Sequence, residues 1–206
     1  MTAPLFRPSK IVAIGRNYAD HAKELGNEVP KEPLVFLKAP SAIVGNGDAI
    51  VIPPPWAGRI EYEGELAVVI GKRAKGVSEA EAMNFVSGYT CANDVTAREL
   101  QKSDGQWSRA KGFDTFCPLG PRIVSTLDPS NLKIQTRVNG QVRQSASTAD
   151  LIFKIPRLIA HVTACMTLEE GDLILTGTPA GVGPIVKGDT VEVEIEGIGI
   201  LSNPVQ

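Results

Sequence analysis

Residues 61–71 read EYEGELAVVIG. Leu66 to Ile70 form an apolar run of strand type with buried character. Positions two apart on a strand share a face, so Glu63 and Glu65 project together, and Ala67 and Val69 continue that face. Two carboxylates at the edge of a core repel each other, and desolvation penalises both charges. A divalent cation offsets both costs. On spacing alone, an exposed strand end carrying acids is the favoured reading.

A second segment, residues 91–101, reads CANDVTARELQ. Asp94 closes an apolar stretch just before an expected helix start, where alone it would be a turn or capping aspartate. Taken with Glu63 and Glu65, it completes three oxygen ligands and leaves about three positions of an octahedral ion for substrate and water. Arg98 and Gln101 are three apart and share a helix face, which could turn toward the same pocket or toward solvent. His21 and His161 are the chain's two histidines, and its three cysteines form no CxxC pair. A His- or Cys-rich zinc site is therefore excluded, and any metal must accept oxygen ligands.

Outward from these segments, strands are expected at 10–15, 34–38, 49–52, 65–71, 85–92, 121–125, 132–138 and 172–176, with a last pair flanking Gly197 to Gly199. Asn139-Gly140 is the signature of a two-residue hairpin turn, since both positions need positive φ. TVEVEIEG alternates apolar and acidic residues, as a strand with one wet face does. Helices are expected to be few and short. Asn17 would cap one over 18–25; Ser78-x-x-Glu81 and Thr96-x-x-Glu99 fit capping boxes for 79–84 and 97–102. Pro156 suits the first turn of a helix over 156–165. Strands not regularly separated by long helices predict an α+β fold dominated by sheet, not a doubly wound one.

The chain has 206 residues, enough for one domain with a substantial core. A formal charge of −2 without a Lys/Arg cluster argues against a nucleic-acid or anionic-membrane partner. No apolar run approaches the ~20 residues that span a bilayer, and MTAPLFRPSK carries no secretion signal, so a cytoplasmic location is expected. Cys91, Cys117 and Cys165 read as buried thiols of a reducing compartment.

His21 and Glu24 are three apart on the first expected helix, so the carboxylate can hold the imidazole in one tautomer. That is what a base activating water needs, although such a pair by itself is more often a surface ion pair. Arg16, Asn17 and Tyr18 precede it in a turn after a strand, a usual place for substrate contacts. TGTPAGVGP at 176–184 lacks the features of a P-loop or a dinucleotide fold. It reads as a tight active-site turn in which Thr178 offers a hydroxyl and an N–H to a substrate carboxylate.

VAIGRNYADHAKEL, EPLVFLK, EYEGELAVVIGKRAKGV, GYTCANDVTARELQ, AKGFDTFCPLGP and LTGTPAGVGP occur in this order. Together, from about Lys10 to the C-terminus, they resemble the fumarylacetoacetate hydrolase family, and within it the short acylpyruvase and oxaloacetate decarboxylase type. The resemblance implies a mixed β-roll fold over residues 10–206 after an extension at 1–9, and a homodimer. It implies one Mg²⁺ or Mn²⁺ per chain on Glu63, Glu65 and Asp94, with His21, Glu24 and Lys111 catalytic. Arg16, Tyr18, Lys38, Arg98, Gln101 and Thr178 would bind a small 2-oxo acid. Two departures accompany it: this sequence lacks the founding hydrolase's added N-terminal domain and earlier acidic ligand, and the lid stretch KSDGQWSRA is short. Trp107 would pack in that lid or in the core.

The expected chemistry is stabilisation of an enolate on the 2-oxo oxygen. With an acylpyruvate, His21 and Glu24 activate water and the C–C bond is hydrolysed to pyruvate and a carboxylic acid. This is the first expectation. Oxaloacetate decarboxylation follows, then isomerisation of a 2-hydroxyhepta-2,4-diene-1,7-dioate type of substrate. A non-catalytic carboxylate- or metal-binding module is the remaining alternative.

Overall fold

Leu66, Val68 and Ile70 face one side of their strand and Ala67 and Val69 the other, and both sets are fully or nearly fully buried. A strand covered on both faces belongs in the middle of a sheet, which explains the unbroken apolar run. The computed structural model describes residues 7–206. In chain order the strands are β1 (Ile11–Gly15), β2 (Leu34–Lys38), β3 (Ile43–Val44), β4 (Ile60–Tyr62), β5 (Gly64–Ile70), β6 (Val86–Asn93), β7 (Thr96–Ala97), β8 (Cys117–Val124), β9 (Lys133–Val138), β10 (Gln141–Ser147), β11 (Leu173–Leu175), β12 (Gly183–Pro184), β13 (Thr190–Ile195) and β14 (Gly199–Pro204). The α-helices are α1 (Ala19–Glu24), α2 (Arg98–Ser103), α3 (Ser108–Lys111) and α4 (Ile155–Cys165). The fold is α+β and mostly β, as expected.

A seven-stranded sheet runs β2-β1-β11-β5-β6-β8-β3, with β1–β11 and β3–β8 parallel and the other neighbours antiparallel. A four-stranded sheet, β10-β9-β13-β14, covers one face. Ile134, Val193, Ile195 and Leu201 from it meet Leu66, Val68 and Ile70, and Leu158, Ile159 and Val162 of α4 complete that core. A small sheet, β12-β4-β7, stands beside them. Among the described residues, no helix is long and apolar enough to cross a membrane.

Local signals hold where short-range chemistry decides. Asn139 (φ 53°) and Gly140 (φ 77°) make the hairpin turn between β9 and β10. In β13, Val191, Val193 and Ile195 are buried while Thr190, Glu192 and Glu194 are partly exposed. Pro156 lies in the first turn of α4.

The helix caps differ from expectation. Tyr18, not Asn17, is the N-cap of α1. The Asn17 amide instead donates to the Phe153 and Thr176 carbonyls and accepts the Phe153 N–H at 2.8 Å. A buried amide has several groups to satisfy, and three long-range bonds outweigh one local cap. Ser78 donates to the Glu81 carboxylate, and the expected helix shrinks to one 3₁₀ turn at Ala82–Phe85. Thr96 is drawn into β7, so α2 starts at Arg98 behind Ala97, and Glu99 caps the Arg59 N–H instead. The strand expected at 49–52 is a single parallel bridge between Ile50 and Val205. Cys91 and Cys117 are buried, but Cys165 is exposed at the end of α4, contrary to expectation.

Of the expected extension at 1–9, residues 1–6 lie outside the described residues. Ser9 and Lys10 are tied to buried Asp172, which also accepts the Glu169 N–H. Burial pushes its carboxyl up, but the bonds from Glu169, Lys10 and Ser9 outweigh this and hold it below the usual range. Asp172→Ala leaves these donors unmet and is expected to cost about 2–4 kcal/mol, read as a fall in Tm at pH 7. Because the folded pKa is depressed, the contribution is complete above about pH 4 and fades as pH falls through the folded value. The Tm difference between wild type and variant should therefore narrow in acid, and a constant difference would count against this account.

Candidate metal centre and active-site cavity

EYEGE is not one straight strand. β4 ends at Tyr62 and β5 begins at Gly64, so Glu63 occupies the break between a strand of the small sheet and one of the large sheet. Its N–H donates to Asn93 Oδ1 at 2.9 Å and its carbonyl accepts the Asp94 N–H at 2.8 Å. β5 and β6 are antiparallel with Gly64 opposite Asn93, which sets Asp94 against Glu63. The register of two strands thus joins the two acidic segments. Glu63, Glu65 and Asp94 are at most 4% exposed, and each offers an oxygen within 4.8 Å of the others.

Buried cations surround them. Lys111 Nζ bridges Glu63 Oε2 (2.8 Å) and Asp94 Oδ2 (2.6 Å), and Lys38 Nζ lies 2.6 Å from Asp94 Oδ1. Arg98 reaches Glu61 (2.7 Å), Glu63 (2.7 Å) and the Gln101 side-chain oxygen Oε1 (2.6 Å). Burial would raise the Glu63 carboxyl, but Lys111 and Arg98 bring it well below the usual range. Lys111 is pushed down by burial and, more strongly, up by Asp94 and Glu63, so its ammonium keeps its proton. Glu65 accepts the Gly177 N–H at 2.7 Å and forms no ion pair among the described residues. Burial first, then the charges of Asp94 and Glu63, hold its carboxyl well above the usual range.

These residues fit a divalent cation. Asp94 Oδ1 is buried and, although close to Lys38, takes no hydrogen bond of acceptable angle. Burial and the neighbouring acids oppose the charged form of Glu65, a cost that a bound cation would offset. Three carboxylates from separate positions, with no nitrogen or sulfur donor among them, suit a hard, oxygen-preferring divalent ion.

The cavity above this group has a volume of about 500 Å³. Of the expected site residues, Arg16, His21, Glu24, Glu63, Glu65, Asp94, Arg98, Gln101, Lys111 and Thr178 line it. His21 Nδ1 sits 3.3 Å from Glu24 Oε2, and Glu24 also accepts the Gly181 N–H. With Nδ1–H facing the carboxylate, Nε2 is left as the basic nitrogen. Trp107 closes one wall edge-on to Phe36, with ring centroids 5.0 Å apart. A side chain on Gly15 would meet the Trp107 indole at 2.8 Å.

Tyr18 and Lys38 are placed differently from the reading as substrate contacts. Neither lines the cavity: Tyr18 is buried beside Leu151, and Lys38 stands behind Asp94, donating to the Lys111 carbonyl at 2.6 Å. The Thr178 hydroxyl is also committed, donating to the Gly64 carbonyl at 2.9 Å, so only its N–H remains for a ligand. Sequence reasoning missed Glu61, Asn93 and Gln144. Glu61 continues the every-second-residue pattern of Glu63 and Glu65 and was detectable on that ground. Gln144, in the polar stretch QVRQSAS, gave no signal.

The model of the fumarylacetoacetate hydrolase C-terminal family matches residues 10–206. The chain is 50% identical to a mitochondrial oxaloacetate tautomerase of Bos taurus, over 98% of this chain and 68% of that one. It is 47% identical to an oxaloacetate tautomerase of Bacillus subtilis, over 98% and 72%. A solved structure described as 5-carboxymethyl-2-hydroxymuconate delta-isomerase from Mycobacterium smegmatis superposes with a TM-score of 0.91 at 54% identity, over 97% and 79%.

Proposed function

This chain belongs to the fumarylacetoacetate hydrolase family, and from that premise we propose that it is a metal-dependent enzyme that interconverts the keto and enol forms of a small 2-oxo acid, with oxaloacetate the first candidate. The observation that carries the reading is the His21–Glu24 pair lining the same cavity as Lys111 and the three carboxylates. The names of the similar proteins support it, since a tautomerase and an isomerase both relocate protons without hydrolysis.

Glu63, Glu65 and Asp94 would hold the ion, which when bound supplies Lewis-acid polarisation of the 2-oxo oxygen. Arg98, Gln101 and Arg16 orient the acid's anionic groups, and the Thr178 N–H adds a neutral donor. His21 Nε2 takes the proton from C3 of the keto form while Glu24 keeps the ring oriented. The Lys111 ammonium stabilises the charge gathering on oxygen without giving up its proton. The imidazolium returns the proton to oxygen, giving the enol, or to carbon, restoring the keto form. One divalent cation per chain and a homodimer belong to the same proposal, the latter checked by sedimentation.

Hydrolysis of acylpyruvates is the second reading, favoured by the same pair, with His21 deprotonating water instead of carbon. Decarboxylation of oxaloacetate needs neither step. The purified protein with Mg²⁺ or Mn²⁺ is given oxaloacetate, acetylpyruvate and fumarylpyruvate. The expected result is enol–keto exchange of oxaloacetate at least about tenfold faster than with metal alone. Dominant cleavage of either acylpyruvate would favour the hydrolase, and dominant CO₂ release the decarboxylase. No turnover with either metal would sink all three.

A further inference from the structure

The loop from Thr176 to Gly181 touches both halves of the site. At one end the Gly177 N–H donates to Glu65, and at the other the Gly181 N–H donates to Glu24. The Gly181 carbonyl accepts the Tyr62 hydroxyl at 2.7 Å. The loop is therefore a physical link between the carboxylate group and the His21–Glu24 pair.

Its middle is held by one side chain outside the cavity. Gln144 is 0% exposed and follows a register shift in β10 between Val142 and Gln144. Its Nε2 donates to Thr178 Oγ1 at 2.8 Å and to the Pro179 carbonyl at 2.7 Å. Its Oε1 accepts the Gly64 N–H at 3.0 Å, and the Thr178 hydroxyl donates to the Gly64 carbonyl. Gln144, Gly64 and Thr178 thus close a ring of hydrogen bonds. Gly64 is the residue between Glu63 and Glu65. Buried rings of this kind fix position because every member is satisfied in only one arrangement. Packing acts in the same sense. Gly181 has φ 99°, and a Cβ there would run into the Arg143 carbonyl and come within 3.4 Å of Gln144 Cα.

We propose that Gln144 is a positioning residue: by clamping the 176–181 loop to Gly64, it sets the spacing between the His21–Glu24 pair and the three carboxylates. It touches no substrate and acts through the loop. The kinetic arm of its test rests on the proposed reaction; the spectroscopic arm does not.

Gln144→Met keeps length and removes every bond that the Gln144 side chain makes, leaving the Thr178 hydroxyl on the Gly64 carbonyl. Gln144→Glu keeps the acceptor for Gly64 and withdraws the donors to the loop. The ring ¹⁵N resonances of His21, separated from His161 by a His161→Gln background, are recorded without ligand. Both variants are expected to shift or broaden the His21 signals, because Glu24 loses a fixed partner. They should also lower kcat about tenfold to a hundredfold, with KM and Mn²⁺ affinity within about threefold of wild type. A folded variant with unchanged His21 resonances and kcat within about twofold would overturn the proposal. So would Mn²⁺ affinity falling in step with kcat, which marks general collapse of the site, or failure of both variants to fold, which marks a requirement of the fold. If wild type turns over none of the oxo acids, the proposed reaction fails and the His21 resonances still decide the role of Gln144.

Discussion

Asp94→Asn is expected to reduce turnover by about a thousandfold or more, through loss of both the ion and a counter-charge. The Asp94 carboxylate lies 2.6 Å from the ammonium groups of both Lys38 and Lys111, and all three side chains are at most 1% exposed. Asparagine keeps the shape but turns an NH₂ toward one of two buried cations. Removing one partner from such a cluster typically costs about 3–5 kcal/mol, because the remaining charges stay buried and unmatched. The substitution should therefore lower Tm as well as Mn²⁺ affinity. Calorimetric titration with Mn²⁺ and a thermal melt check the two effects separately. Mn²⁺ affinity within about threefold of wild type would remove Asp94 from the ligand set. An unchanged melt would argue that the lysines are not held by it.

The second large effect separates chemistry from metal binding. His21→Ala should lower kcat by about 10²–10⁴, the usual worth of a positioned acid–base group, and leave Mn²⁺ affinity within about threefold. His21 is 4% exposed, lines the cavity and belongs to no carboxylate of the candidate centre. Glu24→Gln should be milder, since it disturbs the orientation of the ring and leaves Nε2 in place. A useful division appears if oxaloacetate decarboxylation survives in His21→Ala while keto–enol exchange is lost. Loss of metal affinity in this variant would mean that His21 supports the carboxylate group and not the proton transfer.

The fold class was legible in the residues through short-range rules: alternation in 190–195, the Asn139-Gly140 turn, and the apolar run of β5. Each depends on neighbours a few positions apart, so periodicity shows it. The full set of candidate site residues came from the ordered motifs of the family resemblance, not from such rules. Helix starts were less legible, because Asn17 and Thr96 were drawn to other partners, while Ser78 and Glu81 met side chain to side chain and a single 3₁₀ turn followed. Asn17 shows why: one capping bond competes with three bonds to segments far along the chain.

EYEGELAVVIG by itself determined a buried strand with acids at its entry, and the scarcity of histidine and cysteine limited any ion there to oxygen ligands. Only the tertiary structure decided that Glu63 stands in a break between two sheets and that the β5–β6 register brings Asp94 to it. It also moved Lys38 and Tyr18 out of the cavity and brought Gln144 underneath the 176–181 loop. The reason is distance along the chain. Glu65 and Gly177 are 112 residues apart, and Gly64 and Gln144 are 80 apart. Contacts of that span leave no period in the sequence, and they exist only once the sheets have closed around them.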